Sequence, residues 1–131
     1  MPANTSPIFP LTPVAAVANI SSAITTRTVT GVTGLTSLKA AGSFGTRIDR
    51  ISIKATATTT AGTIRIWLYD GSDNANLIWE EPVYAVTPSA TLPSFSADIV
   101  FDDLVIPSGK TLYASTEKAE AFNVIAYGGD Y

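Results

Sequence analysis

At 131 residues the chain is the size of one domain, long enough to bury about two-thirds of its unfolded surface around one core. Hydrophobic residues make up 46% of it and charged residues 15%, the formal charge is -3, and there is no His and no Cys. Those values exclude a general basic field for nucleic acid, a spanning run of ~20 apolar residues, disulfides and thiolate chemistry, and the commonest general base and metal ligand.

Residues 1–26 carry no charged side chain, and Pro2, Pro7, Pro10 and Pro13 crowd the first half of that stretch. Proline at this density fixes φ and removes backbone donors, which favours an extended path over helix or central strand. The expectation is an extended arm over 1–26, with Ile8, Phe9, Leu11 and Val14 as apolar contacts for a partner. A signal peptide fits poorly, because no basic segment leads in and the prolines interrupt the apolar stretch.

From Arg27 onward short strands alternate with turn residues. Leu35 to Ala40 reads as a strand. Arg47 to Thr58 is anchored by Ile48, Ile51 and Ile53, and the slip in spacing between the first two predicts a bulge near Asp49. Thr63 to Asp70 alternates cleanly, with Ile64, Ile66 and Leu68 on one face and Arg65, Trp67 and Tyr69 on the other. Asp70-Gly71-Ser72-Asp73-Asn74 is a loop. Leu77 to Val86 contains Pro82, which predicts an edge position or a bulge. Phe95 to Phe101 alternates again, Pro107 to Lys110 turns the chain, and Thr111 to Thr116 and Phe122 to Tyr127 supply two more strands. Seven or eight short strands without a helical period predict an all-β fold, an antiparallel β-sandwich or jelly roll over residues 27–131.

No catalytic constellation emerges. Asp70, Asp73 and Asn74 miss the spacing of a calcium loop, Gly42-Ser43-Phe44-Gly45 lacks both a nucleophile-elbow context and a His, and Glu80-Glu81 and Asp102-Asp103 read as exposed edges. The chain is expected not to be an enzyme and to hold no cofactor or metal. Two features remain. Arg65, Trp67 and Tyr69, joined by Trp79, form a face that needs cover from a sugar, a neighbouring subunit or the chain's own arm, unless the sheet is simply buried on both faces, and they are the candidate interface residues. Residues 27–65 hold six basic side chains against one acid, while residues 66–131 hold ten acids against two basic ones, a segregation suited to self-association or docking unless interleaved strands mix the charges.

The runs Gly45-Thr46-Arg47-Ile48-Asp49-Arg50-Ile51, Leu68-Tyr69-Asp70-Gly71, Trp79-Glu80-Glu81, Leu112-Tyr113-Ala114-Ser115-Thr116 and Ala119-Glu120-Ala121-Phe122-Asn123-Val124 resemble a group of small virion proteins of tailed bacteriophages and prophages. The resemblance spans about residues 27–131. It implies a capsid decoration, or cement, protein on the outer surface of the head, assembled in the host cytoplasm. The implied partners are the major capsid protein and the protein's own copies in a homotrimer, with no nucleic acid and no membrane. A carbohydrate- or receptor-binding module of a head spike or tail fibre is the alternative, with Trp67, Tyr69 or Trp79 as stacking platforms; a phage glycan hydrolase ranks below both.

Overall fold

The computed structural model describes residues 9–131, which form eight β-strands and, among the described residues, no helix. The strands are β1 (Thr12–Ile20), β2 (Thr36–Ala40), β3 (Thr46–Ala55), β4 (Gly62–Tyr69), β5 (Asn76–Val83), β6 (Ser96–Ile106), β7 (Thr111–Thr116) and β8 (Phe122–Asp130). Their pairing is nested: β1 with β8, β2 with β7, β3 with β6 and β4 with β5, all antiparallel, as if one long hairpin had been rolled up. Ladders between β3 and β8 and between β4 and β7 complete two four-stranded sheets, ordered β1-β8-β3-β6 and β2-β7-β4-β5. This is jelly-roll connectivity, so the expected sandwich is observed in that form.

The boundary expected at residue 26 moves. Thr12–Ile20 is not arm but the edge strand of the first sheet, paired with β8 from Thr12↔Asp130 to Ile20↔Phe122. Ala18 and Ile20 are both 3% exposed and belong to the core. The proline argument reaches too far, because Pro13 sits near the start of an edge strand, where a missing backbone N–H is tolerated. Val14, Ala16, Ala18 and Ile20 do alternate inward, but Ala15 and Val17 on the other face hide that period in the sequence.

The other strands follow their apolar alternation. Ile48, Ile51 and Ile53 from β3 meet Ile64 and Ile66 from β4 across the sandwich, with Ile99, Ile106, Leu112, Phe122 and Val124 filling the space between the sheets. Each such side chain contributes about 1.5–3 kcal/mol by leaving water. The expected bulge lies at Asp49: Ile48 pairs with Gly128 and Arg50 with Tyr127, leaving Asp49 as the extra residue. Pro82 stands opposite Thr63 on β5, an edge strand, as its missing donor requires.

Nested pairing also decides the fate of the segregated charges. Each early strand lies beside a late one, so the basic half and the acidic half interleave. Among the described residues, Arg27–Glu80, Lys39–Asp130, Arg65–Glu80 and Arg65–Glu117 all join the first half to the second. The segregation is therefore largely consumed inside the monomer rather than displayed as two poles.

Lys39–Asp130 closes the end of the sandwich. Asp130 accepts a short hydrogen bond from the fully buried Thr46 hydroxyl, whose oxygen in turn accepts the Gly42 N–H at 2.9 Å, and Lys39 Nζ lies 3.3 Å from Asp130 Oδ2. The Thr46 bond first, and Lys39 second, hold the Asp130 carboxyl below its ordinary value. A depressed folded-state pKa means that this stabilisation is present at neutral pH and is lost as the pH falls through the folded value, below the ~3.9 of an unfolded Asp. Asp130→Asn is expected to cost about 1–2 kcal/mol at pH 7. The gap in unfolding free energy between variant and wild type, followed by urea titration, should narrow as the pH falls below the ~3.9 of an unfolded Asp; a gap that stays constant as the solution is made acid refutes the assignment.

Candidate docking surface

The face predicted to need a partner finds its cover within the chain. Arg65 is 3% exposed and Trp67 is 0% exposed, so neither is available as an interface residue. Both point away from the main core, on the outer side of the β2-β7-β4-β5 sheet, where the connection from β1 to β2 (residues 21–35) lies across them. Arg65 Nη1 donates to the Ile24 carbonyl at 2.9 Å, the Ile24 N–H donates to Thr116 O at 2.8 Å, and the Ala75 N–H donates to Gly31 O at 2.8 Å. Asn74 Oδ1 accepts the Gly31 N–H at 2.8 Å, and Arg27 pairs with Glu80 at the margin. Trp67 Nε1–H donates to Ser115 Oγ at 2.9 Å, so the indole's polar end is satisfied within this second buried layer.

The Arg65 charge is met from two sides. Its Nε lies 3.3 Å from Glu80 Oε1 and its Nη1 lies 2.7 Å from Glu117 Oε2, an ion pair whose alignment falls short of a hydrogen bond. The Arg27 hydrogen bond, with that of Arg65 behind it, keeps the Glu80 carboxyl below its usual range. Alternation along β4 identifies the second face but not what lies over it, because the covering residues come from elsewhere in the chain.

The remaining candidates are separated. Tyr69 is half-buried and meets Tyr113 edge-on, with ring centroids 6.0 Å apart. Trp79 is not on the Trp67 face. It stands opposite Ile66 in the ladder, which places it on the inward side at the margin of the sandwich. There it is 41% exposed, packs edge-on against Phe101 at 5.8 Å and donates its indole N–H to Glu81 at 3.0 Å. The bulge between Ile66 and Trp67 reverses the side that simple alternation assigns. Of the apolar contacts expected from an arm, Ile8 lies outside the described residues. Phe9 and Leu11 are 71% and 84% exposed just ahead of β1, and Val14 is half-buried within it.

The open surface is the outer face of the other sheet. Cross-strand register builds it in rows: Val17, Ile125, Ser52 and Asp98; Ala15, Tyr127, Arg50 and Val100; Pro13, Gly129, Arg47 and Val105. Val17, Val100 and Val105 are exposed at 56%, 70% and 49%. Down the middle, β3 presents Arg47, Arg50 and Lys54, with the Arg50 guanidinium 4.7 Å above the Tyr127 ring and Arg47 paired to Asp49 at 2.8 Å. The result is a broad pleated surface with a basic central strip, flanked by Val17 on the β1 side and by Val100, Val105 and Asp98 on the β6 side. Sequence reasoning missed it because its rows draw on four strands whose order periodicity does not reveal. The one signal was Arg47, Arg50 and Lys54 alternating with the core isoleucines.

Elsewhere, Asp70 acts as turn chemistry: its Oδ1 accepts the Ser72 and Asp73 N–H groups at 3.0 and 3.1 Å, which lowers its pKa. A shallow, open depression of about 240 Å³ lies along the 21–35 connection, lined by Ile24, Thr26, Thr28, Val29, Thr30 and Thr33. Among the described residues no cluster of three or more acidic side chains is placed to hold a metal ion. Comparison of the chain with protein-family models, with curated proteins and with solved structures finds no match.

Proposed function

We propose that this protein is a bacteriophage capsid decoration protein, which binds the outside of the head and stabilises contacts between major capsid subunits. The observation that carries the reading is the asymmetry of the two outer faces: one is closed by residues 21–35, while the other exposes Val17, Val100 and Val105 beside Arg47, Arg50 and Lys54. Flat contact with a shell needs such a face, apolar enough to gain from burial and charged enough to set register. Repetition over a shell makes modest affinity per copy sufficient. The sequence resemblance supplies the partner. A glycan-binding role is less well supported, because Trp67 is closed off, Tyr69 is half-buried and Trp79 lies on a different face, so the three aromatics form no common platform.

The test adds purified protein to particles that lack it and measures occupancy by cryo-EM and resistance of the particles to heat. The paired substitutions Arg50→Glu and Val100→Asp should lower apparent affinity at least about tenfold while leaving the fold intact by circular dichroism. Wild-type occupancy by that variant would overturn the assignment of the face. Failure of the wild-type protein to bind any head, together with glycan binding that Trp79→Ala abolishes, would overturn the function itself.

A further inference from the structure

A sandwich of two open sheets has four edge strands, and exposed edges invite pairing with other chains unless something blocks them. Three of the edges here are blocked. β5 carries Glu80, Glu81 and Pro82; β6 carries Asp98, Asp102 and Asp103; β2 is five residues long, is bulged between Ser37 and Lys39, and carries that lysine. β1 differs from all of them. It is nine residues long, its sequence TPVAAVANI holds no charge, its ladder with β8 is unbroken by a bulge, and its single proline lies near one end. Among the described residues no strand pairs with its free edge.

We propose that β1 is a self-association edge, on which a second copy of this chain adds its own β1 antiparallel to make one continuous sheet of eight strands. A second copy fits because the strand is complementary to itself. Pairing across a twofold axis near Ala16 sets Val14 against Ala18 and Ala15 against Val17, small apolar pairs on both faces, and no register brings like charges together because there are none. Val17 at 56% exposure and Leu11 at 84% then gain cover, and the open backbone groups of each edge find partners. The contact is twofold, in place of the trimer implied by the family resemblance. It also lengthens the open face of the first sheet, since the two outer faces run on across the axis. A strand pair of this length falls at the low end of the ~1,200–2,000 Å² of stable interfaces, so the dimer dissociates reversibly on dilution.

Sedimentation velocity over a wide range of concentration reads the equilibrium directly. Wild type is expected to pass from monomer to dimer, and Val17→Lys, or independently Ala15→Lys, to weaken the dimer by about tenfold or more, because either change sets lysines from the two copies diagonally across the seam. Val100→Lys, on the blocked β6 edge of the same sheet, should leave the dimer constant unchanged. Hydrogen exchange of wild type should show β1 amides gaining protection as concentration rises. A monomer at all concentrations overturns the proposal, as does a dimer that survives both β1 lysines in variants whose circular dichroism is native. A dimer weakened by Val100→Lys instead, or a trimer, places the contact elsewhere and overturns it equally.

Discussion

Removal of residues 1–20 is expected to leave a chain that does not fold. The deletion takes away all of β1, and with it a ladder that runs the whole length of β8. Ala18 and Ile20 leave the core, while Phe122, Val124 and Ala126 of β8 lose the strand that flanks them. Truncating a buried Ile to Ala alone costs about 2–5 kcal/mol. Against a total stability of about 5–15 kcal/mol for a domain of this size, loss of a whole edge strand exceeds what can be absorbed. Far-UV circular dichroism and a thermal melt of the truncated chain would decide the matter. A cooperative transition near that of the full-length protein would mean that β1 is dispensable, and residues 1–20 would then be an appendage as their prolines suggest.

The second large effect is expected at Gly128, on the strand that β1 covers. Gly128 faces the β3 bulge, opposite Ile48, where the extra Asp49 bows the strand toward its neighbour. A methyl carbon at position 128 would fall inside the van der Waals envelope of the Arg47 carbonyl oxygen, 2.8 Å from that carbonyl carbon and 3.0 Å from Ile48 Cα. All three are backbone atoms, so no side chain can swing aside. Relief requires moving β3 and β8 apart in the middle of the sheet, which breaks ladder bonds on both sides. Gly128→Ala should cost more than about 4 kcal/mol, in the range reserved for a named steric mechanism, or abolish folding. Gly109→Ala is the comparison: its φ of 86° makes an L side chain strained, but a Cβ there meets nothing within 4 Å, so the loss should stay near the ~1 kcal/mol of an ordinary left-handed turn position. Equal melting temperatures for Gly128→Ala and wild type in differential scanning calorimetry would show that the bulge relaxes freely.

The strands from β2 onward are legible in the sequence because Ile, Leu and Phe alternate there with residues of clear polarity. Ile64, Ile66 and Leu68 against Arg65, Trp67 and Tyr69 is such a case, and the slip between Ile48 and Ile51 locates the bulge. β1 is hidden for the opposite reason: alanine and valine occupy both its faces, so nothing in the order of residues tells inside from outside. The prolines that argue against a strand argue only against a central one. Cover and partnership are harder still. Trp67 reads as a surface aromatic because the residues that close over it belong to a connection with no periodicity, and they are held by bonds such as Ile24 to Thr116 that span most of the chain. The docking face is assembled sideways, from Val17, Ile125, Arg50 and Val100, and becomes visible only once strand order is known.

Because β1 and β8 are neighbours and run in opposite directions, the chain enters and leaves the domain at one corner. The Leu11 N–H bonds Asp130 O at 2.8 Å there, and Tyr131 bonds back to Gly45 O at 3.2 Å beside it. A module attached at the entry to β1 and a module attached after Tyr131 would therefore be held side by side, on the same flank of the domain. Conversely, a short linker between the two ends would circularise the chain with its ladder intact, and new ends could be opened in the exposed Gly71–Asn74 turn between β4 and β5, whose Gly71 lies against Gly109 of the β6–β7 turn. Cargo fused at those new ends would leave from the same end of the sandwich as the entry to β1 and the exit from β8, but on its β4-β5 side rather than its β1-β8 side.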